Sequence, residues 1–189
     1  AMSIMSVYGS LIYMSSIPGG WIADRITGTR GATLIGAILI IIGHICLSLP
    51  FAMVGLFTSM FFIIVGSGLM KPNISNIVGR LYPENDVRMD AGFVIFYMSV
   101  NMGALVSPII LQHYIDIRNF HGGFLIAAIG MALGLVWYLL FNRKTLGSIG
   151  MKPTNPLSSS EKKKYGTIIG IVVIAIVLIL MIAYFTHTD

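Results

Sequence analysis

The chain has 189 residues, of which 56% are hydrophobic and only 10% charged, with a formal net charge of +5. A soluble globular domain carries about a quarter charged residues, so this composition, with a mean hydropathy of +0.88, moves the reading to an integral membrane protein. The basic residues sit in short connections between apolar runs, which argues against a nucleic-acid face, and the single cysteine, Cys46, lies inside an apolar run, which excludes a disulfide framework.

A membrane span needs about 20 mostly apolar residues. Six runs qualify, at roughly 2–23, 32–50, 53–79, 91–113, 122–141 and 166–185. The first has no basic region before it and starts at Ala1, so it reads as a cut inside a larger protein rather than a signal peptide. Tyr13 stands eleven residues before Asp24, about three helical turns from that end. It is a candidate cavity tyrosine, favoured over Tyr8.

The turn "GGWIADRITGTRG", residues 19 to 31, joins the first two runs. Gly19 and Gly20 permit close helix approach. Asp24 can pair at the start of a neighbouring helix, where a helix N-terminus favours negative charge. Arg25 and Arg30 anchor the turn. Two readings stand: a latch whose charges pair in one conformation and separate in another, or a plain basic turn. In the second run Gly36 and Gly43 share a face, and in the fifth Gly130 and Gly134 form a GxxxG pair; both suggest close packing in lipid.

The third run ends in "IIVGSGLMKPNISNIVG", residues 63 to 79. A lysine near a span centre costs roughly 2.5–3.5 kcal/mol on insertion scales. Seven acidic residues are present: Asp24, Glu84, Asp86, Asp90, Asp116, Glu161 and Asp189. All lie in connections, at span ends or at the terminus, so Lys71 has no counter-ion at its own depth. The plainer reading is a stem that snorkels to the interface. The sharper one is a lysine in a wet cavity, paired with an acid on another segment. Pro72 removes a backbone donor and leaves the Gly68 carbonyl without its partner. Gly66 and Gly68 ease bending there, and Asn73 and Asn76 are candidates to satisfy freed groups. A bent helix at membrane depth is tolerated where it lines a cavity.

The fourth run carries "FYMSVNMGALVSP", residues 96 to 108. Tyr97 and Asn101 are four apart and share a helix face. Together they offer a hydroxyl and an amide, suited either to a ligand bearing amides or to an interhelical hydrogen bond. After the fifth run comes a polar stretch, 142–165, with Pro153, Pro156 and a basic run. It reads as a linker between two bundles. Residues 1–141 then form one bundle portion and 166–189 an additional span.

Six spans place the connections on alternate sides. One side collects ten of the twelve basic residues, the other only Arg118, and Lys71 lies within a span. The positive-inside rule makes the basic side cytoplasmic. His44, His113, His121 and His187 show no metal-ligand spacing, and no nucleophile elbow or phosphate loop is present. No enzyme activity, metal or cofactor is expected.

"GGWIADRITG" resembles the loop between the second and third helices of major facilitator superfamily transporters, with its Gly-x-x-x-Asp-Arg pattern at Gly20, Asp24 and Arg25. The extra residue before Gly28, together with "GLMKPNIS" and "FYMSVNMGAL", is similar to the proton-dependent oligopeptide transporter family. The resemblance covers nearly the whole chain. It implies an all-α polytopic membrane protein: helices two to six of an N-terminal six-helix bundle, with the first helix missing, plus one helix inserted between bundles. It also implies that the residues matching Tyr13, Tyr97 and Asn101 contact peptide. Lys71 would lie near the peptide and pair with a glutamate of the C-terminal bundle. The family's first-helix Glu-x-x-Glu-Arg motif and its C-terminal bundle are not present in this sequence. The expected partners are di- and tripeptides, protons, the lipid bilayer of the cell membrane and that missing bundle, with no nucleic acid. The function implied is proton-coupled peptide symport by alternating access. The alternatives are a major facilitator transporter of another solute, such as nitrate, and a membrane scaffold subunit without substrate.

Overall fold

The structure, a computed structural model, describes residues 2–50, 52–115, 120–161, 163–165 and 167. The expected span at 166–185 therefore lies outside the described residues apart from 167, as do Asp116, Arg118, Lys162, His187 and Asp189. The chain divides into two units, 1–154 and 155–189.

The first unit is all helical among the described residues. Its elements are α1 (Met2–Met14), α2 (Ser16–Ile22), a π-helical turn at Ala23–Thr27, α3 (Gly28–Ser48), α4 (Ala52–Gly79), α5 (Arg88–Ile115) and α6 (Phe120–Leu146). The four apolar runs from 32 to 141 each become one helix with ends within five residues of the expectation. The first run is interrupted. Pro18 has no N–H to give to the carbonyl of Met14, and the helix breaks at Ser15 between α1 and α2. The helical interval Ser6–Ser48 runs 43 residues and holds a stretch apolar enough to cross a membrane, yet it folds back at Gly28, whose φ of 74° suits glycine. α3 stops at Leu49, held extended (φ −91°, ψ 145°) by Pro50 after it. Gly147, with φ 51°, turns the chain out of α6.

Small residues set the packing around α4. Gly19 of α2 lies against the Gly68 carbonyl, so close that a methyl group would collide with it. The Ser15 hydroxyl reaches the Ile64 carbonyl at 2.9 Å, and the Asn73 amide donates to the Gly19 carbonyl at 3.3 Å and to Leu69 at 2.7 Å. These contacts run in the same order on both helices, so α1–α2 is parallel to α4. On the other side Gly36 meets Gly66 and Met70, while Gly43 meets Ser59 and Ile63. That order is reversed, so α3 and α4 are antiparallel. Without small residues the backbones could not approach to these distances, and close approach is the main source of helix affinity in lipid. Gly130 and Gly134 behave otherwise. Nothing lies within 4 Å of the place where either would carry a methyl group, so the expectation of a close crossing there is corrected. A small-residue spacing provides a smooth face, and among the described residues no second helix comes into contact with this one.

α6 packs antiparallel on α3. The Arg30 guanidinium donates to the Asn142 carbonyl at 3.0 Å, and at the far end His121 Nδ1 lies 3.3 Å from the Leu47 carbonyl. Among the described residues α5 has light contact with its neighbours, which includes Phe93 beside Gly79, Gly92 beside Tyr82 and Leu111 beside Gly123. With these directions fixed, the turn at Gly28, the 80–87 loop and the end of α6 all fall at one end. That end holds Arg25, Arg30, Arg80, Arg88, Arg143, Lys144 and Lys152, as the charge pattern predicts.

The basic end is closed by a strap. After α6 the residues 147–154 fold back, and the Gly150 carbonyl accepts the Arg30 N–H at 3.0 Å. Gly28 and Gly150, both at positive φ, press together. Arg80 donates to the Thr154 hydroxyl at 2.7 Å. The strap thus joins the start of α3, the end of α4 and the end of α6. Arg30 is 9% exposed and Thr29 1% exposed, and Arg30 Nε and the Thr29 hydroxyl have no partner among the described residues.

The 80–87 loop turns at Pro83, whose carbonyl accepts the Asp86 N–H at 3.1 Å, and Asn85 takes the left-handed conformation such turns tolerate (φ 64°). Asp86 receives the Arg88 backbone N–H at 2.9 Å and its guanidinium at 2.7 Å. The Arg88 side chain holds the carboxyl down from 3.8 to about 2. The depressed value means that this pairing supports the loop above the ordinary aspartate range and is lost as pH falls toward 2. In an NMR titration of the intact protein, the Asp86 carboxyl is expected to titrate near 2 and, in Arg88→Ala, to return toward 3.8. A wild-type midpoint already at the ordinary value would refute the pairing.

In the second unit, Ser158 and Glu161 form a capping box. The Ser158 N–H donates to the Glu161 carboxylate at 2.9 Å, and the Glu161 N–H to the Ser158 hydroxyl at 3.3 Å. A helical turn starts directly after Ser158.

Candidate functional site

Lys71 lies on α4, one residue before Pro72, and α4 runs unbroken through both. Its side chain is exposed in this chain. The ammonium sits 5.8 Å from the ring centroid of Tyr13. The two meet because α1 runs parallel to α4 and is pinned to it at Ser15, two residues beyond Tyr13. Tyr13 is itself 77% exposed, so the pair faces away from the bundle interior formed by this chain.

The magnitudes show that the ring does not suffice. A lysine at the middle of a span costs roughly 2.5–3.5 kcal/mol. A cation–π contact at an exposed site returns roughly 0.5–1 kcal/mol. No carboxylate lies within ion-pair distance of Lys71 among the described residues. The deficit has to be met by water, by headgroups or by an anion from outside these residues.

Tyr97 and Asn101 lie on α5 and are exposed. Tyr97 stacks on Phe93 with centroids 6.4 Å apart and meets Phe96 edge-on at 5.3 Å. Phe93 lies beside Gly79, where α4 and α5 run in opposite directions. Lys71 is eight residues back along α4 and Asn101 eight residues on along α5, about 12 Å from that contact in each case. They therefore stand at the same depth. No hydrogen bond or ring contact joins Tyr97 or Asn101 to the Lys71–Tyr13 pair among the described residues. None of the most apolar stretch of α5 is buried, so the helix presents these side chains on an uncovered face.

The remaining residues singled out in the sequence divide into contacts and turns. Gly66 and Gly68 are where α3 and α1–α2 touch α4. Pro72 frees the Gly68 carbonyl, which neither asparagine takes up. It is covered by Gly19, while Asn73 turns to the Gly19 and Leu69 carbonyls and Asn76 stays exposed. Gly20 and Asp24 are half-buried, and Asp24 and Arg25 lie on the π-helical turn. Such turns accommodate one extra residue, and here the turn ends at Gly28, under the strap. Asn73, 2% exposed, is the polar residue on which the α2–α4 seam depends. The sequence offered it only as a possible partner for freed groups.

Half-open pockets lie elsewhere. A cavity of about 240 Å³ between α3, α4 and α6 is lined by Ala37, Met70, Gly134 and Leu135 among others. A second of about 410 Å³ reaches His44 and Ser107. Neither includes Lys71 or Tyr13. Among the described residues no group of side chains has the composition of a metal site.

Comparison with known proteins gives the arrangement a family. A model described as "PTR2: POT family" matches residues 31–183. An "Uncharacterized transporter YclF" of Bacillus subtilis (strain 168) is 47% identical over 182 residues, 96% of this chain and 37% of the relative. A "Di-/tripeptide transporter" of Lactococcus lactis subsp. lactis (strain IL1403) is 43% identical over 184 residues, 97% of this chain and 37% of the relative. A crystal structure of a POT family transporter in complex with 5-aminolevulinic acid is 82% identical and superposes with a TM-score of 0.95, covering 100% of this chain and 39% of that one. The chain thus spans less than two fifths of the proteins it matches. The family model takes in α3 from residue 31 and the whole of α4, α5 and α6 with the polar residues they carry, and on that match the chain belongs to the POT family.

Proposed function

We propose that the protein to which this chain belongs is a symporter that moves di- and tripeptides with protons across the cell membrane by alternating access. The observation that carries the reading is Lys71: an exposed ammonium on an apolar helix, beside one aromatic ring, with no carboxylate in reach among the described residues. A peptide zwitterion brings a carboxylate to such a group. Tyr97 and Asn101, uncovered at the same depth, offer hydrogen bonds to amides and termini. Tyr13 borders the ammonium. The ligand of the 82%-identical transporter, 5-aminolevulinic acid, fits this chemistry. It is an amino ketone acid with the amine and carboxylate spacing of glycylglycine, one CH₂ replacing the amide N–H.

Coupling follows from charge. An acid on the bundle beyond this chain pairs with Lys71 while ionised. Its protonation dissolves the pair, and the two bundles are freed to rock around the midplane site. The excess of basic residues on that side supports a cytoplasmic position for the Gly28 turn and the strap.

Uptake by the intact protein in liposomes tests the proposal. An imposed inward proton gradient should drive accumulation of dialanine, excess 5-aminolevulinic acid should compete, and nitrate should not. Absence of gradient-driven dialanine uptake, or inhibition by nitrate in its place, would overturn it.

A further inference from the structure

The basic end contains a pocket that the peptide site does not use. It has a volume of about 580 Å³ and lies between the end of α4 and the strap, lined by Arg80, Ser148, Lys152 and the strap residues between them. No acidic side chain lines it among the described residues. Arg80 is exposed, and its bond to the Thr154 hydroxyl orients the guanidinium without neutralising it. Lys152 is exposed and has no partner among the described residues. Behind the pocket wall, Arg30, 9% exposed, donates its backbone N–H to the Gly150 carbonyl and its guanidinium to the Asn142 carbonyl, which fixes the strap from the side of α3 and α6. Arg80 directly follows Gly79, the last residue of an apolar 28-residue helix. The pocket therefore opens at the level where apolar helix gives way to polar loop, which is the level of lipid phosphates.

We propose that this pocket binds a phosphate group, with Arg80 and Lys152 gripping the anion and Ser148 donating a hydrogen bond. Basic pockets at the cytoplasmic ends of membrane helices take anionic headgroups. Guanidinium supplies a planar fork to phosphate oxygens and ammonium a mobile point charge. A headgroup phosphodiester and a free phosphate share this chemistry, and the experiment separates them.

The test uses the intact transporter in nanodiscs of defined lipid, with bound lipid read by native mass spectrometry. Wild type should prefer phosphatidylglycerol over phosphatidylcholine. Each cation near the surface contributes about fivefold, so Arg80→Gln/Lys152→Gln should weaken the preference roughly thirtyfold. Arg143→Gln/Lys144→Gln removes the same charge from the end of α6, outside the pocket, and should leave most of it. In a second arm, inorganic phosphate is added to delipidated protein and the melting temperature is followed. A rise that disappears in the Arg80/Lys152 variant assigns the site to free phosphate; no rise, with the lipid preference present, assigns it to headgroups. Either result supports the site. The proposal fails if wild type shows neither lipid preference nor phosphate stabilisation. It also fails if the pocket variant keeps the preference, or if the α6 variant loses as much. The wild-type preference is read without any variant, so a variant that does not fold leaves the proposal falsifiable.

Discussion

Gly19→Leu is expected to abolish recovery of folded, monodisperse transporter, and Gly19→Ala to destabilise it by about 1–3 kcal/mol, the usual cost of forcing an extra carbon into a packed interface. A methyl group at this position would collide with the Gly68 carbonyl, and that carbonyl cannot swing away into a helical hydrogen bond because Pro72 supplies no N–H. The helices would have to part. Parting them also breaks the Asn73 bond to the Gly19 carbonyl at 3.3 Å and the Ser15 bond to the Ile64 carbonyl at 2.9 Å. It leaves Asn73, 2% exposed, with half its amide protons unsatisfied, and an unpaired buried donor costs about 1–3 kcal/mol. Gly134→Ala is the contrasting change. Nothing lies within 4 Å of the added carbon, and the position borders the 240 Å³ cavity between α3, α4 and α6. It should be neutral or stabilise by up to about 1 kcal/mol through helix propensity. The check is the thermal unfolding midpoint in detergent with the yield of monodisperse protein. Equal midpoints for Gly19→Ala and wild type would refute the tight seam.

That seam also explains what the sequence could and could not show. Hydropathy located α3 to α6 because each is a long apolar run, and a span must satisfy its own backbone. The charge asymmetry grouped the ends for a different reason, since Lys and Arg gather in the connections on one side of a span. The isolation of Lys71 was legible because acidic residues are few and all peripheral. Its contact with Tyr13 was not, because it depends on α1 running parallel to α4 and being fixed at Ser15, which no periodicity reveals. Glycine spacing proved ambiguous. Gly36 and Gly43 meet α4, whereas Gly130 and Gly134 have nothing within 4 Å among the described residues, and the sequence alone does not say which smooth face finds a neighbour. The break at Ser15 did have a signal, since Pro18 requires a free carbonyl four residues earlier. The strap had one as well. In "LGSIGMK", two glycines three apart follow the helix end directly, and both take positive φ.

Lys71→Ala is expected to reduce gradient-driven peptide accumulation by the intact protein to background. Removing the ammonium deletes both of its roles in the proposed cycle at once: attracting the peptide carboxylate and holding the facing acid until it is protonated. Lys71→Arg should recover only part of the activity. It keeps the charge, but a planar guanidinium cannot follow the ring and the acid in turn as a flexible ammonium does. Tyr13 then separates two contributions. Tyr13→Phe keeps the ring under the ammonium, 5.8 Å away, and loses only the hydroxyl, so a peptide contact would appear as a raised KM with unchanged pH dependence. Tyr13→Leu removes the ring as well. The ammonium then loses roughly 0.5–1 kcal/mol of cation–π stabilisation, and the balance between its paired and unpaired states moves toward pairing with the acid. That acid becomes harder to protonate, and the pH profile of uptake should shift toward acid by about half a unit. Uptake by Lys71→Ala against a peptide gradient, at a rate near wild type, would remove the lysine from the mechanism. Identical pH profiles for the Phe and Leu variants would remove the ring.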